Sequence, residues 1–432
     1  MDDAEAEFFA NILDSDSEDG SFAGFDEEDI VRAAVRRAEN GDVDGEVDVS
    51  DISFSESSGG ESDEDEAAPI QRLPPLPGGD RWTENLSHVN KPNFTGPAPG
   101  ATFTFDKEKT ELDFFEVFFP PDLIDLIRDE TNRYAAQKCA EKPDPRWGPI
   151  TSDDVRAFLG IRIYMSTLEL PQVDMYWSTD WLFGGLKVAD IMCRSRFEKI
   201  SRYFHCNDSE TNPLRAQPGH DKLHHIRRVL NRVSETCMAA YNPHSETSVD
   251  EAMVAFRGRL GFRQYLPAKP TKYGIKIWMR ADPRNGYANE FQVYTGRGDV
   301  GNVDGAHRRM PLSSRVVLDL TQSLQGNFYT VNVDNFFSSV DLFLMLKENQ
   351  LLARGTVRMD RIREAKTIVN KDSVKRRLKQ QGQKIVVQKS DIQVTVWQDK
   401  KPVACVSTAD DLAAQDETTK RQKKDGTRID VK

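Results

Sequence analysis

The stretch NVDNFFSS (332–339) ends a run that reads as a strand, FYTVNVD, on the carboxylate of Asp334. An earlier strand-like run, TSVDEAMVAF, carries Asp250 near its middle, beside Glu251. Two aspartates on neighbouring strands can share one divalent cation through hard oxygen donors, a preference that suits Mg²⁺. A third carboxylate would allow a second ion about 4 Å away, the arrangement that steadies both oxygens of an in-line phosphoryl displacement. The residues alone leave other roles open, because an aspartate at a strand end also serves as a turn residue or a helix cap.

Between the two aspartates lies RGRLGFRQYLPAKPTKYGIKIW (257–278). Here Arg257, Arg259, Arg263, Lys269, Lys272 and Lys276 alternate with Phe262, Tyr265, Tyr273 and Trp278. Cations interleaved with aromatics fit nucleic acid, the cations for phosphates and the rings for bases; a solvated charged face is the other reading. The glycine-rich GRGDVGNVDG (296–305) lacks the Lys-Ser/Thr of a phosphate-binding loop and reads as a plain loop. His205, Cys206, His224 and His225 have no metal-ligand spacing, and no nucleophile-elbow or zinc-protease motif occurs.

The elements that must position these residues lie in a chain of uneven charge. The net charge of −12 averages two unlike parts. Residues 1–66 hold 24 Asp or Glu against Arg32, Arg36 and Arg37; the remainder holds 55 basic and 46 acidic residues. The body is therefore basic and suited to a polyphosphate partner. Residues 1–67 read as an acidic disordered tail with scattered phenylalanines, a solubilising segment or one that recruits nuclear proteins. Residues 68–102 read as a Pro/Gly linker. Five separated cysteines fit a reducing compartment, and neither a secretory signal nor an apolar run of membrane-spanning length is present. The expectation is a soluble intracellular protein with no membrane partner.

Residues 103–244 read as helical: PPDLIDLIRDETNRYAAQK, TSDDVRAFLGIRIYMSTL with a capping-box start at Thr151, CRSRFEKISRYF and DKLHHIRRVLNRVSETCMAAY. From Ser245 β-branched runs take over: TSVDEAMVAF, GIKIWMRAD, YANEFQVYTG, SRVVLDLTQSL and NFYTVNVD as strands, with a helix over Ser338–Glu348. Residues 366–432 read as a basic segment followed by a hairpin-like pair.

Taken in order, WGPIT, DVRAFLGIRIYMS, MYWS, RFEKISRYFHCND, SVDEAMVAFRGRLGFRQYLPAKPTKYGIKIW, FQVYTGR, VVLDLT, DNFFSS, GTVRMDR and WQDKKPVACVST resemble piggyBac-type transposases over roughly residues 104–408. The resemblance implies an α+β or α/β architecture: a helical dimerisation and DNA-binding region at 103–244, an RNase H-like (DDE-type) mixed sheet at 245–365, and an insertion from 366. It implies Mg²⁺-dependent attack of water and then a DNA 3′-hydroxyl on phosphodiesters, with integration at TTAA. The first two catalytic, metal-binding aspartates fall on Asp250 and Asp334. The DNA-contacting set comprises Arg257, Arg259, Arg263, Lys269, Lys272 and Lys276, joined by Arg358 and Arg361 of GTVRMDR.

The third family aspartate, in GGVDxxD beyond the insertion, has no counterpart before the final DGTRIDVK. Asp399 belongs to a different family motif, Asp425 and Asp430 lack the GGV context, and Asp360 stands where the family usually has Asn. The expectation is a nuclear, DNA-binding piggyBac-derived protein, possible as a homodimer, with a weak or absent Mg²⁺ site and no strand cleavage. The alternatives are a complete metal-dependent transposase whose remaining residues are supplied elsewhere, and a nuclear scaffold using its acidic tail.

Overall fold

The computed structural model describes residues 81–104, 109–180, 187–214, 217–258, 260–267, 269–296 and 310–413, together with the backbone of two short strands, Thr419–Gln422 and Arg428–Val431. The acidic segment, with most of the expected linker, lies outside the described residues.

Among the described residues, five helices of eight or more residues form the first unit: α1 (Glu111–Phe118), α2 (Pro121–Glu141), α3 (Ser152–Thr167), α4 (Arg194–Tyr203) and α5 (His224–Ala240). Their starts follow from local chemistry. Pro121 supplies the first residue of α2, where a missing N–H costs nothing. At α3 the Asp154 amide donates to Thr151 Oγ1 at 3.2 Å, and the Thr151 amide donates back to Asp154 Oδ2 at 2.9 Å, the reciprocal cap expected from TSDD. Ile124, Ile127, Val155, Phe158, Phe197 and Ile200 meet in one apolar core. Arg196 of α4 donates to the Gly148 carbonyl at 2.6 Å and the Pro149 carbonyl at 3.0 Å, fixing the WGPIT turn.

A nine-stranded sheet follows, ordered β4-β5-β3-β7-β8-β11-β10-β9, with β6 also paired to β5, farther along the strand than β4. Its members are β3 (Glu246–Ala255), β4 (Gln264–Tyr265), β5 (Tyr273–Ala281), β6 (Ala288–Val293), β7 (Thr330–Val333), β8 (Leu352–Thr356), β9 (Lys384–Lys389), β10 (Ile392–Gln398) and β11 (Pro402–Ser407). A two-residue ladder, β1 (Gly100–Ala101) with β2 (Tyr241–Asn242), precedes it. Strands β6, β5 and β3 form an antiparallel meander, after which β7 and β8 run parallel to β3. This is the RNase H-like mixed sheet, extended by the antiparallel β11, β10 and β9. The segment expected as an insertion thus continues the main sheet. The directions have a geometric result: the C-terminal ends of β3, β7, β8 and β10 and the N-terminal ends of β5, β9 and β11 share one rim.

Two expectations are corrected. SRVVLDLTQSL is not a strand but α6 (Leu312–Leu320), with Val316, Val317, Leu318 and Leu320 buried. An apolar run that short fits either period, and Pro311 ahead of it together with packing onto the sheet decides for helix. Residues 81–101, expected as linker, instead form a strap across the body. Trp82 is buried, Thr83 pairs with Gln388 of β9, and the Phe94 ring meets Tyr329 edge-on at 4.7 Å. Glu84 receives a two-pronged ion pair from Arg377 at 2.7 and 2.8 Å. The apolar residues Trp82, Val89 and Phe94 supply the burial that a Pro/Gly count overlooks.

Helix α7 (Val340–Glu348), capped by Ser339 Oγ accepting from the Leu342 amide, packs with α6 on the sheet face bearing Val249, Trp278, Val331 and Val333. A last short helix, α8 (Lys371–Arg377), leads into β9.

Candidate active site

Strand β3 and strand β7 are parallel neighbours, with Val249 opposite Val333. The next residue on each is the aspartate in question, so Asp250 and Asp334 come side by side at one end of the pair. Alternation along β3 sends Val249 and Glu251 to the core-facing side and Asp250 to the other. Both aspartates are exposed.

Asp334 has a local job as well. Its Oδ1 accepts from the Phe336 amide at 3.0 Å, an Asx turn that swings the chain off β7. Its carbonyl accepts from the Ser338 amide at 3.0 Å and the Ser338 hydroxyl at 2.8 Å. The helix cap is Ser339, so Asp334 is not spent on capping α7. Desolvation by the surrounding protein raises its pKa, the Phe336 amide pulls it back, and the Asp250 carboxylate raises it again. Two like charges held together in this way are what a cation would relieve.

The glycine at 355 makes the close approach possible. It sits opposite Val333 on β8, and a Cβ there would lie 2.2 Å from the Val333 carbonyl oxygen and 2.5 Å from Ser338 Oγ. Beyond β8, on the same rim, come Arg358 and Arg361. Arg361 donates through Nη1 to the Phe336 carbonyl, two residues past Asp334. Burial lowers the Arg361 pKa and Arg358 lowers it further, while Asp360 and Asp334 act the other way.

The other basic residues divide. Arg257 and Lys272 are exposed on the loops joining β3 and β5. Arg263 is spent on the loop itself, donating to the Arg257 carbonyl at 2.9 Å and lying 5.7 Å from the centre of the Tyr273 ring. Lys269 pairs with Glu251 at 3.1 Å. Lys276 is not on a free surface: it is 8% exposed, bonds Glu251 at 2.9 Å and sits 4.0 Å above Trp278, with Tyr294 and Phe336 around it. Arg259 lies outside the described residues.

Glu251, one residue past Asp250, thus belongs to a buried ion pair. Burial alone would raise its pKa, but Lys276 and Lys269 together hold it below the ordinary value. Sequence reading gave this pair no role; the one signal for it was alternation, which puts Glu251 on the core face and so requires a buried cation. Phe336 stacks on Trp278 at 5.6 Å and the buried Phe337 meets it edge-on at 5.5 Å, so the aromatics after Asp334 anchor its turn.

His205 is a core residue, stacked on Tyr134 at 3.5 Å, with burial lowering its pKa to about 4. Among the described residues no group of three His, Cys, Asp or Glu could hold a metal ion. The donors at the candidate site are therefore two carboxylates, a set that fits one hard divalent cation only in part.

A mixed sheet of this order, with one aspartate inside β3 and another just past the end of its parallel neighbour β7, is the arrangement of a DDE-type transposase domain. Residues 110–432 match the family model described as transposase IS4, and the chain belongs to that family, among its piggyBac-type members. It is similar to human PiggyBac transposable element-derived protein 3, 30% identical over 269 residues, 61% of this chain and 42% of that protein. Human PiggyBac transposable element-derived protein 2 is 28% identical over 280 residues, 64% of this chain and 45% of the relative. A piggyBac transposase solved as a synaptic complex with hairpin DNA superposes with a TM-score of 0.61 at 26% identity, covering 74% of this chain and 65% of that one. The chain thus spans less than half the length of either human relative.

Proposed function

We propose that this chain is a piggyBac transposase-derived protein that binds DNA along the rim carrying Asp250 and Asp334 and acts in the nucleus. The observation that supports it most directly is the placement of the two aspartates on adjacent parallel strands, with Arg361 bonded to the Phe336 carbonyl two residues past Asp334. The phosphate-facing set is Arg257, Lys272, Arg358 and Arg361; Arg263 braces its own loop, and Lys269 and Lys276 hold Glu251. A homodimer would form through the helical unit, where Ile163, Tyr164 and Leu168 leave apolar surface at the end of α3.

Asp250 and Asp334 would hold a divalent cation such as Mg²⁺, which when bound would polarise a phosphodiester oxygen. Asp334 is positioned for this by the Asx turn, and Asp250 by its place in β3. Among the described residues the site has two donors where two ions need three carboxylates, which supports DNA binding over strand cleavage. A second reading, strand cleavage and transfer with the third carboxylate supplied by further residues, is favoured by the greater length of the relatives.

Two measurements test these readings. DNA affinity by fluorescence anisotropy should fall steeply with salt; a flat response removes the phosphate argument. Nicking of a labelled duplex in Mg²⁺ should be absent for these 432 residues, and a product abolished by Asp334→Asn would establish the second reading instead.

A further inference from the structure

The rim does not end at Arg361. The turn between β10 and β11 brings exposed Lys400 and Lys401 to it, and the loop leading into β9 brings Lys379, preceded by exposed Lys375 and Arg376 of α8. In sequence these two groups are separated by the whole of β9 and β10. In the fold they are bonded together: the Gly382 amide donates to the Gln398 carbonyl at 2.7 Å, and Gln381 donates to Asp399 Oδ1 at 2.7 Å. The second bond occupies one carboxylate oxygen of the patch, and Glu84 already pairs with Arg377, so five cations stand over few open anions.

A short helix gains from basic residues in its last turn, and that accounts for one or two of them. It does not account for Lys379, Lys400 and Lys401, which lie beyond the helix. Strand spacing of about 4.8 Å puts the β10 and β9 ends about 14 and 19 Å from the end of β7.

We infer that this lysine-rich end of the rim is a second DNA-backbone contact, holding duplex about four to six base pairs to one side of the two aspartates. The inference rests on the DNA-binding reading above and adds a location to it. Phosphate is the fitting ligand because the cations are mostly lysines, point charges on flexible stems without the planar fork that reads base edges.

The test uses the full chain and a 30-base-pair duplex. Lys379, Lys400 and Lys401 are changed together to Ala, and log affinity is measured against log salt beside the unchanged chain. Each lost phosphate contact flattens the slope by about 0.9, so the expected slope is about 2 to 3 less steep, with unchanged circular dichroism and melting temperature. A Lys272→Ala variant serves as the comparison, losing about one contact at the other end of the rim. If the unchanged chain does not bind DNA, the underlying reading fails. If it binds and the triple variant keeps the same slope, this inference alone fails. If cross-linking instead ties these lysines to residues 1–66 in the presence of DNA, the surface belongs to the acidic segment and the inference is overturned.

Discussion

Asp334 does two things with one side chain. One oxygen holds the turn that leaves β7, and the carboxylate as a whole is repelled by the neighbouring Asp250. Its pKa is raised in the fold, so the stability associated with its proton is present below about pH 4 and is lost as pH rises through the folded value. Asp334→Asn keeps the acceptor for the Phe336 amide and removes the repulsion. Solvent screens much of that repulsion, so the expected gain at pH 7 is a few tenths of a kcal/mol, read as about 1 °C in melting temperature. The gain should vanish near pH 4. Millimolar Mg²⁺ should raise the melting temperature of the unchanged protein and leave the Asn variant where it is. A variant that melts lower at pH 7 would show that the turn, not the charge, dominates at this position.

At the scale of elements, the β7–β8 contact is the tightest constraint on the site. Gly355→Ala would push a methyl group onto the Val333 carbonyl and Ser338 Oγ, with an expected loss of about 2–3 kcal/mol in urea unfolding. Because Ser338 also bonds the Asp334 carbonyl, the same variant should weaken any Mg²⁺-dependent stabilisation. Much of this scale was legible in the residues. The capping box at Thr151, the helix ending at Glu348 and the two strands TSVDEAMVAF and NFYTVNVD follow from local pattern, because caps and alternation are local physics, whereas the pairing of those strands is implied by the family resemblance. Two features were not legible, since tertiary contact decides them. SRVVLDLT carries only a short apolar cluster, Val316, Val317, Leu318 and Leu320, which fits either period, so its packing against the sheet selects the helix. Lys276 reads like its exposed neighbours Lys272 and Arg257, and only the register placing it beside Glu251 and Trp278 buries it.

For the whole molecule, the strap at 81–101 joins the start of the described chain to its last large strands. Trp82→Ala removes a buried ring, a change that costs about 3 kcal/mol where the site cannot collapse. The strap can instead detach as a unit, so the expected signature is local. Hydrogen exchange at the Thr83 and Gln388 amides should accelerate more than tenfold, with little change in the helical unit. Uniform acceleration everywhere would mean that the strap is integral to global stability. The helical unit and the sheet have separate apolar cores, which is why the effect should stay on one side.

The same strap has a consequence for association. Strand β9 is the last in the sheet, so its outer row of N–H and carbonyl groups would be open to pairing with another chain. Thr83 occupies that row from both sides, accepting from the Gln388 amide at 2.8 Å and donating to its carbonyl at 3.0 Å, while the Gln388 side chain accepts from the Ser87 amide at 2.9 Å. Seen this way, the strap is an edge guard. A molecule whose strap has lifted presents an apolar, β-branched strand (KIVVQK) as a template for edge-to-edge growth, so loss of this one contact would convert a folded protein into a seed for aggregation.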